Sequence, residues 1–174
     1  MTAFPRRLAL AVALAAGLAA GASHAGGLDV HASADASDVG LPAYPGAIKK
    51  TDLDGDTAGF RFGLWGESFG IQLAVVSYRS VDNVDKVAAF YRDALAKYGS
   101  VLDCTRNPKN SGAPSHRDDK ADNDKPVSCD NDTVEAGGRL YKVGINRAQR
   151  VFKATPWHEG TRFQLVRIEQ HGVD

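Results

Sequence analysis

Two hydrophobic periods alternate along the chain, and they predict different elements. Phe60-Arg61-Phe62-Gly63-Leu64 alternates apolar and other side chains, the period of a half-buried strand. Gly70-Ile71-Gln72-Leu73-Ala74-Val75-Val76-Ser77-Tyr78 follows across the turn Gly66-Glu67-Ser68, so the pair predicts a hairpin. The period then lengthens. Val84, Val87, Ala88, Tyr91, Ala94, Leu95 and Tyr98 recur every three or four residues and predict one amphipathic helix over 83–98. Asp82 or Asn83 can cap its start, Asp85 suits the positive end of its dipole, and Gly99 suits its stop. Ser100 to Cys104 reads as a short strand leaving the helix. Three more strands are predicted at 139–146, 149–155 and 161–169, with Pro156-Trp157-His158-Glu159-Gly160 as the loop between the last two. In the final strand Phe163 and Leu165 suit one face and Val166 and Ile168 the other, which a bulge or burial on both sides would explain. This order of elements predicts an α+β fold: an antiparallel sheet of about six strands with one amphipathic helix packed on one face.

The stretches with neither period organise the rest. Arg6-Arg7, the apolar run Leu8 to Ala22 and the small residues around Ser23-His24-Ala25 form the pattern of a signal peptide cleaved after Ala25. The apolar run is shorter than the roughly 20 residues a spanning helix needs. Pro5-Arg6-Arg7-Leu8-Ala9-Leu10 lacks most of the surroundings of a twin-arginine signal, so ordinary unfolded export is expected. The expected location is periplasmic or secreted, with a protein soluble after cleavage. Residues 26–40 are small, polar and aperiodic and read as a flexible leader. Leu41-Pro42-Ala43-Tyr44-Pro45-Gly46-Ala47 opens a single domain over 41–174, with Tyr44 expected on its core. Residues 105–138 form a long polar insertion. Cys104 and Cys129 bracket most of it and, in an oxidising compartment, are expected to pair.

Tyr44-Pro45-Gly46-Ala47, followed by the helix Asp82-Asn83-Val84-Asp85-Lys86-Val87-Ala88-Ala89-Phe90-Tyr91-Arg92-Asp93-Ala94-Leu95, resembles a group of small, uncharacterised exported bacterial proteins. That group has a YPGA motif at the start of the domain and a helix of the form D-S-x-x-K-V-x-x-F-Y-x-x-x-L. Asn83 stands where serine is common, and the long insertion is a departure. The resemblance implies an exported α+β module and no catalytic residue.

Charge narrows the partners. Without residues 1–25 the chain carries 19 basic and 21 acidic side chains, so its net charge gives no argument for nucleic acid. The distribution is uneven: residues 136–174 hold 7 basic and 3 acidic groups. Lys142, Arg150, Lys153, Arg162 and Arg167 lie on predicted strands, joined by Arg61 and Arg79 from the first hairpin. Sharing the face the helix leaves open, they would make a cationic surface for an anionic glycan, a lipid headgroup or an acidic envelope protein, with Trp157 as a further contact.

Other chemistry is thinner. Asp52-Leu53-Asp54-Gly55-Asp56 has the alternating carboxylates of a calcium loop but neither the EF-hand glycine position nor its final acid. Asp118, Asp119, Asp122, Asp124, Asp130 and Asp132 crowd the insertion, among lysines that neutralise without coordinating. His31, His116, His158 and His171 lack zinc-helix spacing, and His158-Glu159 is the nearest approach to an acid–base pair. No nucleophile elbow, phosphate loop or dinucleotide fingerprint occurs, so no cofactor is expected. The leading expectation is an exported, non-catalytic binding or envelope-associated domain. A calcium-dependent module built on the Asp-rich loops and an unrecognised hydrolase are the alternatives.

Overall fold

The structure is a computed structural model that describes residues 26–50, 58–106, 123–129 and 132–172. The segment expected to be a signal peptide and the Asp52–Asp56 loop lie outside them.

Among the described residues eight strands form one antiparallel sheet: β1 Gly27–His31, β2 Ile48–Lys49, β3 Gly59–Trp65, β4 Gly70–Ser80, β5 Leu102–Asp103, β6 Arg139–Ile145, β7 Ala148–Trp157 and β8 Gly160–His171. Two helices accompany it, α1 Ala36–Val39 and α2 Val84–Leu95, the latter ending in a 3₁₀ turn over Ala96–Tyr98. The strand order is β1-β3-β4-β8-β7-β6-β5. β2 continues the line of β3, pairing with Tyr78 and Arg79 of β4 beyond the point where β3 ends at Val76.

The α+β expectation holds in outline, with eight strands where about six were predicted. The two additions, β1 and β2, lie in stretches too short or too polar to show a period. Residues 26–40, expected to be a flexible leader, supply β1 and α1. β1 pairs with all of Arg61–Trp65, and Ala34, Ala36 and Val39 are buried. Tertiary pairing with the edge of β3 therefore orders a segment whose composition alone predicts no structure.

Register assigns every strand residue to a face, because directly paired residues of antiparallel strands share one. Val76, Leu165, Phe152 and Tyr141 form one row across β4, β8, β7 and β6; Tyr78, Phe163 and Ala154 form the next. These rows are the core. α2 lies on the β6–β7–β8 part of this face and α1 on β4 and β8. Tyr91 of α2 stacks on Phe152 (4.9 Å between centroids) and tilts against Phe163 (5.3 Å). Tyr44 is buried against Phe90, Tyr91 and Phe163, and its hydroxyl donates to Asp82 at 2.7 Å, so the YPGA segment meets the Phe-Tyr pair of the helix directly. α2 starts where the sequence places it: the Asn83 side chain accepts from the Lys86 N–H at 2.9 Å.

The final strand has no bulge. Its register runs unbroken from Thr161 to His171, and both faces carry apolar residues because both are apolar in this part of the sheet.

The expected disulfide is present. Cys104–Cys129 ties the end of β5 to residues 123–129, which continue along β6 through the Pro126–Ile145 bridge and the Val127 N–H to Gly144 carbonyl bond. Two short pieces, stapled together, thus cover the outer edge of β6.

Candidate functional site

A cationic surface was expected if several of the seven strand-borne cationic side chains shared the face that the helix leaves open. The sheet divides them. Arg61, Arg150 and Arg167 alternate onto the helix side, where they hold α1. Arg167 donates to the carbonyl of Asp38 (3.3 Å) and Arg150 to that of Val39 (2.9 Å), while the Tyr98 hydroxyl donates to Gly40. These are the orphan carbonyls at the end of a helix, where cationic donors are favourable. Arg150 also lies 3.8 Å over the Tyr98 ring and pairs with Glu169, which is itself paired with Arg167. Arg61 bridges the Asp38 carboxylate at 3.0 Å and Asp29 at 3.5 Å. Compensated by acids, these three are structural clamps more than a cationic surface.

Arg79, Lys142, Lys153 and Arg162 alternate onto the open face, together with Trp157. Arg79 sits 4.4 Å over the Trp157 ring and pairs across the ladder with Arg162. Lys153 and Arg162 line a shallow groove of about 290 Å³ with Lys50, Ser77, Thr155 and one acid, Glu135. Lys142 is paired with Asp132 at 2.7 Å.

Beside this cationic end the open face is apolar in three successive rows. Leu28, Leu64 and Ile71 form the first; Val30, Phe62, Leu73 and Ile168 the second; Phe60, Val75, Val166 and Val151 the third. Leu28 and Val30 are about two-thirds exposed, and Phe60 is exposed at 39%. The strand acids Asp29, Asp103 and Glu169 all alternate onto the helix side. Among the described strand residues, the open face therefore combines apolar rows with four basic side chains and no acidic one. Sequence reasoning found the cations and Trp157 but not the apolar rows, although the doubly apolar final strand was their signal.

A second feature lies on the helix side, at the β1–β3–β4 end that α2 does not reach. A cleft of about 340 Å³ is lined by Asp29, Ser37, Asp38, Arg61, Trp65 and Gln72, among others. The Asp38 carboxyl is held below its ordinary value by the N–H of Asp35 first and by Arg61 as well, against a desolvation cost. Trp65, Gln72 and the acids of this cleft were not among the candidates from sequence.

The remaining candidates are dispersed. His158 and Glu159 make the two-residue turn between β7 and β8, with His158 at φ 49° and its ring against Trp157 (4.3 Å). Asp124 is paired with Arg147. Asp118, Asp119, Asp122, Asp130 and His116 lie outside the described residues. Cys104, Cys129 and Asp132 converge as a metal trio would, but both sulfurs are consumed by their mutual bond. No helix among the described residues is long and apolar enough to cross a membrane.

Compared with protein-family models, curated proteins and solved structures, the chain matches none.

Proposed function

We propose that this protein is an exported, non-catalytic docking module whose open sheet face lies on an anionic lipid surface. One observation carries the reading: on that face three apolar rows adjoin Arg79, Lys153 and Arg162, and no strand acid interrupts them. An apolar patch of this extent marks an interaction surface. Its chemistry selects the partner. Apolar side chains enter the headgroup boundary, basic residues beside them attract anionic headgroups, and Trp157 has the amphipathic ring favoured at such boundaries. An acidic soluble partner would match the cations but leave the apolar rows wet.

The test is co-sedimentation with vesicles of phosphatidylglycerol mixed into phosphatidylcholine, against vesicles of phosphatidylcholine alone. Binding should need the anionic lipid, weaken with added salt, and fall at least tenfold in K153E/R162E while the melting temperature holds. Equal binding to neutral vesicles, or binding retained in the charge-reversed variant, would overturn the reading. So would a dimer by light scattering that leaves the vesicles unbound, since a second copy would then occupy the apolar rows.

A further inference from the structure

The cleft on the opposite face has a different composition. Its most distinctive wall is Trp65, at the end of β3. The indole folds back over the backbone of β1 and β3 because the positions beneath it are glycines: a Cβ at Gly27 would collide with the ring, and one at Gly63 would lie 3.3 Å from it. Register places Gly27 opposite Trp65 and Gly63 opposite Asp29 and Gln72 on this same side. Trp65 is 45% exposed even so. A flat aromatic surface is thus held against the sheet, open above, beside a cavity of the size at which small-molecule sites begin.

Around the ring stand groups that donate and accept hydrogen bonds, and the two acids that line the cleft, Asp29 and Asp38, are balanced by two guanidinium groups, Arg61 and Arg167. Arg61 is already paired with Asp29 and Asp38, and Arg167 with Glu169. Gln72 is exposed and offers an amide, and Ser37 a hydroxyl. An anionic ligand would meet the two aspartates, a cation would meet Arg61, and an apolar ligand would desolvate the Gln72 amide and the Ser37 hydroxyl with no hydrogen bond in return.

We propose that this cleft binds a neutral, hydroxyl-rich ring, that is, a saccharide, with one sugar face on Trp65 and its hydroxyls bonded to Gln72, Asp29 and Arg61. The site is on the other side of the sheet from the lipid-docking face and does not depend on that reading.

The two tryptophans of the chain permit a direct test. In a ¹H–¹⁵N spectrum the indole N–H signals of Trp65 and Trp157 are separate probes of the two faces, and W65F assigns them. The protein is titrated with glucose, maltotriose and the trimer of N-acetylglucosamine to about 50 mM, well beyond the millimolar constants of weak ligands. Inorganic phosphate serves as the anionic control. The Trp65 signal should move saturably with at least one sugar while that of Trp157 stays, and Q72A should weaken the response at least fivefold. No saturable shift with any of the three sugars overturns the proposal, as does a response unchanged in Q72A. A shift with phosphate alone assigns the cleft to anions and overturns it equally. Loss of vesicle binding in the earlier experiment leaves these outcomes untouched.

Discussion

Asp38 shows how much one side chain carries in this fold. One carboxylate oxygen accepts the N–H of Asp35 at 2.8 Å, closing the first turn of α1, and the other accepts Arg61 at 3.0 Å; its own carbonyl accepts Arg167. The carboxyl is accordingly held below its ordinary value of 3.8. Glu169 is likewise held below 4.5, first by its hydrogen bond from Arg167, then by the nearby charges of Arg167 and Arg150. The sign follows from linkage. Both groups bind protons less readily folded than unfolded, so their contribution is complete above the ordinary values and is lost as pH falls through the lower, folded ones. The urea midpoint should therefore drop progressively once pH passes below about 4.5 and then 3.8. D38N/E169Q should start lower and show a much flatter acid limb, and identical slopes in the two proteins would contradict this account. The sequence displays Arg61, Arg150 and Arg167 as charges on strands. It cannot display that the end of a one-turn helix, more than a hundred residues from Arg150 and Arg167, needs their donors.

At the scale of elements, legibility follows length and period. α2 and strands β3, β4, β6, β7 and β8 were readable because each repeats its pattern several times, and Asn83 and Gly99 mark the helix ends as expected. α1 is four residues long and β2 two, too short for any period to emerge. α1 does carry one local signal, the capping box between Asp35 and Asp38. Its contribution is more than decorative, because Val39 is completely buried and Tyr78 reaches its first turn, accepting the Ala36 N–H at 3.0 Å. V39A should therefore cost about 2 kcal/mol by chemical denaturation, as for a methyl pair removed from a packed core. A loose leader would tolerate the change within experimental error, so a cost near zero would remove α1 from the core.

Across the whole molecule, the sheet has two apolar regions of opposite facing. Toward β6 and β7 the apolar side lies under α2; toward β1 and β3 it is the open one, and the helix side becomes polar around Trp65 and Asp29. That inversion is what a one-dimensional pattern conceals: β4 and β8 pass through both regions and so carry apolar residues on both faces. It also separates the two proposed sites, one per face. The β6 edge is the remaining weak point. Among the described residues its cover is the two residues of β5 and the 123–129 segment, and the bridge between Cys104 and Cys129, 25 residues apart, joins them. Reducing that bond should cost about 3 kcal/mol in the chain-entropy account. The cost should also be local in hydrogen exchange. The amides of Cys104, Val127 and Asn146, which bond to Leu140, Gly144 and Lys125, should lose protection, while the β4–β8 ladder keeps its own. Equal loss in both places would mean that the staple supports the sheet as a whole. Loss confined to the edge would mean that the sheet and both of its faces stand on the aromatic core beneath α2, and that the bridge guards an exposed strand.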